Sequence, residues 1–460
     1  MPPPKADQMA VEMMLVVAIP IVYTQSLVGP TNEGLELCRC SPTRYPSLYI
    51  PRLNYSPGTF NPPLTRKVLT NAKLAQISTT ERIGETLYSV GYEMIDLDTI
   101  REANRQGKSL SGLVCVFIGG TGGIGESTAK EVFLQTTKPK AYIVGRNATR
   151  GSEVVQALKS TNPEGEAYFL QKNIDLFQNV DEVCAEIKRR ELKINCLFLT
   201  AGYMTVNGRD ETSDGLDRKM VVNYYSRMRF IMNLMPELTA ASEAGELSRV
   251  LTVLAAGSEG EVHPDDLDLK NNFSLHNCLA HCVVMSDFMV DELSSRYPGT
   301  SFSHSYPGTV KTGIVNQLTG SVRLAVKVMY AVMSPWIINV ADSGERHFFQ
   351  ISNLRYPAAK GGVGLPIPEG LSVARGTNGK PGSGAYLLDW DGQTTGDEAV
   401  LEKYREMGMG PKIWDHTMEI FTRAEQRREA EKTKNKRRAS SDADGSDDRS
   451  MPNPPGWRAA

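Results

Sequence analysis

At 460 residues, 40% hydrophobic and 23% charged, the chain can bury a sizeable core and is not disordered throughout. A formal net charge of −2 excludes nucleic-acid binding driven by bulk charge. Seven cysteines, an odd number that includes Cys115, Cys184 and Cys196 in apolar or amphipathic runs, exclude a disulfide framework and imply a reducing, cytoplasmic setting.

Residues 1–93 read as an irregular extension rich in Pro, Ser and Tyr, without sustained periodicity. Its apolar run MMLVVAIPIVY (13–23) is short for a bilayer and is interrupted by Pro20. Lys5 is offset by Asp7 and Glu12, so no positive region precedes it, and a weak anchor is the alternative reading. Cys38-Arg-Cys40 has one spacer and no second pair, so no metal site is expected. The folded part is expected to start near Met94, where a helix-like lead-in begins.

From 113 onward strands and helices alternate. LVCVFI (113–118) is a continuous apolar run, as in a strand covered on both faces. A helix (123–135), a strand (140–145), a helix (151–161), a strand (167–171) and a helix (177–190) follow. Next come a strand (195–200), a long helix (214–237), a strand (249–256), a helix (274–296) and a strand (301–306). This β-α repeat predicts an α/β fold: a Rossmann-like, doubly wound parallel sheet with helices on both faces. The domain spans 94–313. A C-terminal lid extension (314–424) follows, with an apolar helix over 324–342, a strand in YLLDWDG (386–392) and a last helix (397–424). The apolar helix reads as a cover over an apolar substrate, as core, or as a segment touching a membrane surface; membrane contact is not favoured. The charged tail, 425–460, is expected to be disordered, with RRAS offering a kinase site at Ser440.

FIGGTGGIGEST (117–128) leaves a predicted strand and opens a predicted helix. Gly119 permits the tight turn, Gly123 lets a pyrophosphate approach the backbone, and Gly125 lets helix and strand pack closely. The helix start then offers free N–H groups to phosphate. TAG (200–202) ends the fourth strand, VVNYY (221–225) places Asn223 inside the long helix, PGTVKT (307–312) follows the last parallel strand, and Asp175 follows the third. Together these resemble the short-chain dehydrogenase/reductase family, and the C-terminal portion resembles a fungal branch of secondary-metabolite reductases. The resemblance covers roughly 94–313.

It implies that Gly119, Gly123, Ile124 and Gly125 hold the pyrophosphate, Asp175 the adenine, Ala201 and Gly202 the adenosine ribose, and Thr312 the nicotinamide amide. No acid ends the second strand. Arg146 stands there instead, which favours the 2′-phosphate of NADP(H). The family's proton donor is a Tyr helped by a Lys one turn later, with a Ser and a helix Asn. Here Asn223 is present, but the Ser position is Ala255, the Tyr is Phe273 and the Lys is Asn277. A positioned acid is worth roughly 10²–10⁴-fold, so substitutes matter. His276, on the stripe Phe273, His276, Asn277 and Ala280, is the nearest candidate donor. Ser258, three residues past Ala255, is a second, and Asn277 retains a hydrogen bond for a ribose. Two readings follow: an NADP(H)-dependent oxidoreductase of a hydrophobic small molecule, or a non-catalytic NADP(H)-binding protein that acts as a sensor or scaffold. A homo-oligomer is open, and no nucleic-acid partner is expected.

Overall fold

The computed structural model describes residues 94–444, apart from 319, 335 and 336, with side chains up to Asn435. Readings that fall on 1–93, on the tail beyond 444 and on the side chain of Ser440 lie outside the described residues. Every described residue belongs to one unit of the chain; a second unit, Ser26–Glu93, lies outside them.

Seven parallel strands form one sheet: β1 (Val114–Ile118), β2 (Lys140–Gly145), β3 (Glu166–Gln171), β4 (Cys196–Leu199), β5 (Arg249–Val253), β6 (Ser301–Ser305) and β7 (Ala385–Leu388). Their order is β3-β2-β1-β4-β5-β6-β7. The chain winds outward from β1 to β3, then crosses back to β4, so the direction reverses between β1 and β4. That is where an open α/β sheet leaves a crevice for a ligand.

Alternate residues of β1 feed two cores, as the pleat dictates. Val116 and Ile118 join Leu197, Leu199, Leu234 and Met285 on one face. Cys115 and Phe117 join Phe198, Val132, Phe133 and Phe348 on the other. The first face is covered by α4 (Phe177–Lys188), α5 (Ser226–Glu243) and α6 (Leu275–Arg296), and the second by α2 (Gly123–Gln135), α3 (Ala148–Thr161) and α8 (Val340–Ser352). A third cluster joins α1 (Leu97–Arg105) to β7 through Ile100, Tyr386 and Leu388. The doubly wound fold predicted from the sequence is therefore observed, with β7 as a seventh strand beyond the 94–313 block.

Three expectations need correction. The long helix starts later than 214: one turn at Arg218–Met220, a wider π-helical turn at Val221–Tyr225, then α5 to Glu243. Asp217 supplies the start by accepting from the amides of Lys219 and Met220. The apolar helix over 324–342 is two helices, α7 (Gly320–Val332) and α8, because the Asn339 side chain caps a new start on the Ala341 amide. None of α7 is buried, so it is not core. The charged tail is helical through Asp444, continuing α10 (Met409–Asp444) past α9 (Glu398–Glu406). It holds because Phe421 and Ala424 are buried, and Arg428 and Glu425 pair with Asp181 and Arg229.

Phe117 is fully buried and meets Phe198 edge-to-face at 5.7 Å between ring centroids. Phe117→Ala should lower unfolding stability by about 3–5 kcal/mol, read from the urea midpoint.

Candidate active site

The β1–α2 turn sits against the exit of β4. A Cβ on Gly119 would come within 2.5 Å of the Ala201 nitrogen, and one on Gly125 within 2.6 Å of the Gly119 oxygen. Gly119 and Gly123 also have positive φ, 95° and 57°. Nothing lies within 4 Å of a Cβ built on Gly122, and no side chain caps α2. A cradle of backbone with an uncapped helix start fits a pyrophosphate. Ile124 is buried behind it. Thr312 lies over the turn: its Cγ2 is 3.1 Å from where a Gly123 Cβ would stand.

Arg146, at the end of β2, is exposed and has no ion pair among the described residues. Its neighbour Arg150 is engaged with Glu126 at 2.7 Å and with Glu153. Asp175 is buried and ion-paired with Arg218, which also bonds Asp210 at 2.9 Å.

The exit of β4 is held from α5 and the turn before it. Asn223, in the π-helical turn, accepts from the Tyr203 amide at 3.0 Å and donates to the Tyr203 carbonyl at 3.1 Å. One turn on, Arg227 is buried and donates to Thr252 Oγ1 (2.7 Å), the Val253 carbonyl (2.8 Å) and the Ala201 carbonyl (2.8 Å). Burial pushes its guanidinium down to about 10. Gln317 reaches back from the 3₁₀ turn Gly313–Gln317, accepting from the Met204 amide and donating to the Gly202 carbonyl.

On the reaction side, Phe273 is half-buried and precedes Ser274, the residue that caps α6. The expected stripe therefore starts only after Phe273. His276 is exposed and has no hydrogen bond among the described residues. Lys219, buried beside Asp217, holds its Nζ 5.0 Å from the Phe273 ring centroid. Asn277 donates to the Asn272 carbonyl at 2.7 Å and lies 3.1 Å from His263 Nε2. The His263 amide donates to His281 Nε2 at 2.9 Å. Ser258 closes a turn by donating its amide to the Ala255 carbonyl.

Below this loop lies a buried chain of groups. The Ala255 amide donates to His304 Nε2 at 3.2 Å, and His304 Nδ1 meets Asp287 Oδ1 at 2.5 Å. Since Nε2 accepts, the ring proton belongs on Nδ1, facing Asp287. Burial, and then the Glu259 carboxylate beside it, push the Asp287 carboxyl well above its usual range. Glu259 in turn accepts from the amides of Gly257 (2.7 Å) and Asp397 (2.8 Å).

The structure thus gathers Gly119, Gly123, Gly125, Ala201, Gly202, Asn223 and Thr312 at one crevice, and leaves His276 at the surface. Sequence reasoning did not single out His263, Lys219, Arg227 or the His304–Asp287 pair, which the structure packs around the same loops. One signal was available: Asp287 is an acid in the apolar run CVVMSDFMV, which calls for a buried partner.

Two pH dependences follow. Burial first, and then Arg227, push His304 down to about 3, and burial pushes His281 to about 4. Their folded values lie below the unfolded 6.5, so stability is present above about 6.5 and lost as pH falls toward 4. The urea midpoint should fall over that window, less steeply in His304→Gln. Asp287 runs the other way: its folded value is raised, so stability declines as pH rises above the ordinary carboxylate range. Asp287→Asn should flatten that decline in thermal melts.

Residues 113–258 match the short chain dehydrogenase family. Oxidoreductase AN1596 of Emericella nidulans is 39% identical over 338 residues, which cover 72% of this chain and 99% of that protein. The short-chain dehydrogenase/reductase SAT2 of Stachybotrys chartarum is 28% identical over 71% of this chain and 96% of its own length. Polyprenol dehydrogenase of Homo sapiens is 26% identical over 47% of this chain and 66% of its own. With the parallel sheet, the glycine turn at its reversal point and these relatives together, the chain belongs to the short-chain dehydrogenase/reductase family and is an oxidoreductase of that type.

Proposed function

We propose that the protein uses NADP(H) to reduce a carbonyl, or to oxidise the matching alcohol, on a hydrophobic small molecule of secondary metabolism. The observation that carries this is the backbone cradle at Gly119, Gly123 and Gly125, with Arg146, unpaired among the described residues, where an acid would select NAD. Gly119 to Gly125 would hold the pyrophosphate, Arg146 the 2′-phosphate, Asp175 the adenine, Ala201 and Gly202 the ribose, and Thr312 the nicotinamide amide. The bound cofactor supplies hydride. The apolar helix α7, next to Thr312 in the chain, suits an apolar substrate, and the human relative's name points to a long-chain lipid alcohol.

Without Tyr and Lys, the developing alkoxide needs another donor. His263 suits the part better than His276. It is half-buried, and the Asn277 amide, oriented by the Asn272 carbonyl, leaves His263 Nε2 as the acceptor. Nδ1–H is then the ring's donor, with no acceptor among the described residues. A neutral imidazole there stabilises the oxyanion by hydrogen bonding, with the net proton drawn from water. Asn223 braces the Tyr203 loop at the β4 exit, and Ser258, in the turn after β5, is the second candidate donor.

A fluorescence titration should show NADPH binding more tightly than NADH. Arg146→Ala should weaken NADPH about tenfold or more and leave NADH unchanged. Equal affinity for both nucleotides in the unaltered protein removes the NADP assignment. In NADPH consumption assays with apolar ketones and aldehydes, His263→Ala should lower turnover by roughly 10²-fold without changing NADPH affinity, and His276→Ala should change neither. Binding without consumption across that panel overturns the reductase reading.

A further inference from the structure

Helix α7 differs from every other helix longer than one turn among the described residues: none of its residues is buried. Its outward side carries Leu324 (64% exposed), Val328 (56%) and Val332 (70%), at i, i+4 and i+8. Most single exposed apolar residues need no explanation, but three on one helical stripe form a patch. Its polar company is of one sign. Between Tyr306 and Ala341 the cations are Lys311, Arg323 and Lys327, and the segment contains no Asp or Glu. Lys311 and Lys327 also line a cavity of about 510 Å3 at the foot of the helix, with Tyr330, Ser334 and Asn339.

The geometry points to a peripheral membrane contact: α7 lies on an anionic bilayer, with Leu324, Val328 and Val332 in the acyl boundary and a lipid phosphate between Lys311 and Lys327. Charge decides the occupant. An apolar stripe in a segment that carries three cations and no carboxylate matches an interface that is apolar inside and negative at its rim. The helix is 13 residues, about 20 Å, so it lies on the surface and does not cross. No helix among the described residues is long and apolar enough to span. One 3₁₀ turn, Gly313–Gln317, separates Thr312 from the helix, which puts the lipid contact close in the chain to the crevice, where an apolar substrate would enter. That last consequence rests on the proposed redox function; the docking itself does not.

The test is co-sedimentation of the full chain with phosphatidylcholine vesicles, with and without phosphatidylserine. Binding should need the anionic lipid and weaken with salt. Lys311→Gln and Lys327→Gln should each weaken it about fivefold. Leu324→Asp with Val328→Asp should abolish it, with unchanged thermal melting because both side chains are exposed. The apolar run at 13–23 is present in every variant, so differences between variants report on α7 alone. Absence of binding, equal binding to neutral vesicles, or equal binding by all variants overturns the proposal. So does a dimer in sedimentation velocity that Val328→Asp dissociates while no vesicle binds, which would assign the stripe to a second copy of the chain.

Discussion

Everything at the crevice depends on how closely two backbones meet. The turn after β1 touches the exit of β4 with no side chain between them, because Gly119 lies against Ala201 and Gly125 against the Gly119 carbonyl and Thr200. That contact sets the α2 axis toward the reversal point of the sheet and fixes where an anion can sit. A single methyl at either glycine would push backbone against backbone, which cannot relax as a flexible side chain can. Thr312 and Gln317 then close over the same place from the far end of the sheet, so residues almost two hundred positions apart share one small volume.

Holding that contact requires a second device. Arg227 is a buried cation that bonds only carbonyl and hydroxyl oxygens, and it joins the ends of β4 and β5 directly beneath the crevice. An unpaired guanidinium in the core is costly. Its hydrogen bonds to two backbone carbonyls, Val253 and Ala201, and to the Thr252 hydroxyl offset that cost in part. Asn223, one turn earlier in the wider π-helical winding, likewise bonds backbone, at Tyr203. Irregular winding at that point lets both side chains reach the same loop.

The sheet was legible in the sequence because its strands are continuous apolar runs, and the cofactor turn because its glycines occur between a strand and a helix. The reaction side was not. Phe273 and Asn277 mark the departure from the family's pattern, but the groups packed around them come from elsewhere: Lys219 from the turn before α5 lies over Phe273, and His263 from the loop between β5 and α6 meets Asn277. These meet through tertiary packing, and no spacing in the chain encodes it. The tail misled for a related reason. Its composition is that of a solvated chain, yet Phe421 and Ala424 dock the helix, and Arg428 finds Asp181 on a helix nearly 250 residues away. The break between α7 and α8 turned on one capping side chain, Asn339, which periodicity does not register.

The contact between Lys219 and Phe273 bears on the history of the site. The ammonium lies against a ring face, where a hydroxyl added at the ring's far edge would not by itself gain a cationic helper from α6. Asn277, which the proposed reading puts at the helper's position, is committed to the Asn272 carbonyl and His263. A return to the family's usual acid would need both positions to change together, with an intermediate that has lost one arrangement and not yet gained the other. On the proposed reading of these positions, Phe273→Tyr alone would add a hydroxyl with no cation on α6 behind it, so one side chain's hydrogen bonds tie two positions into a single unit of change.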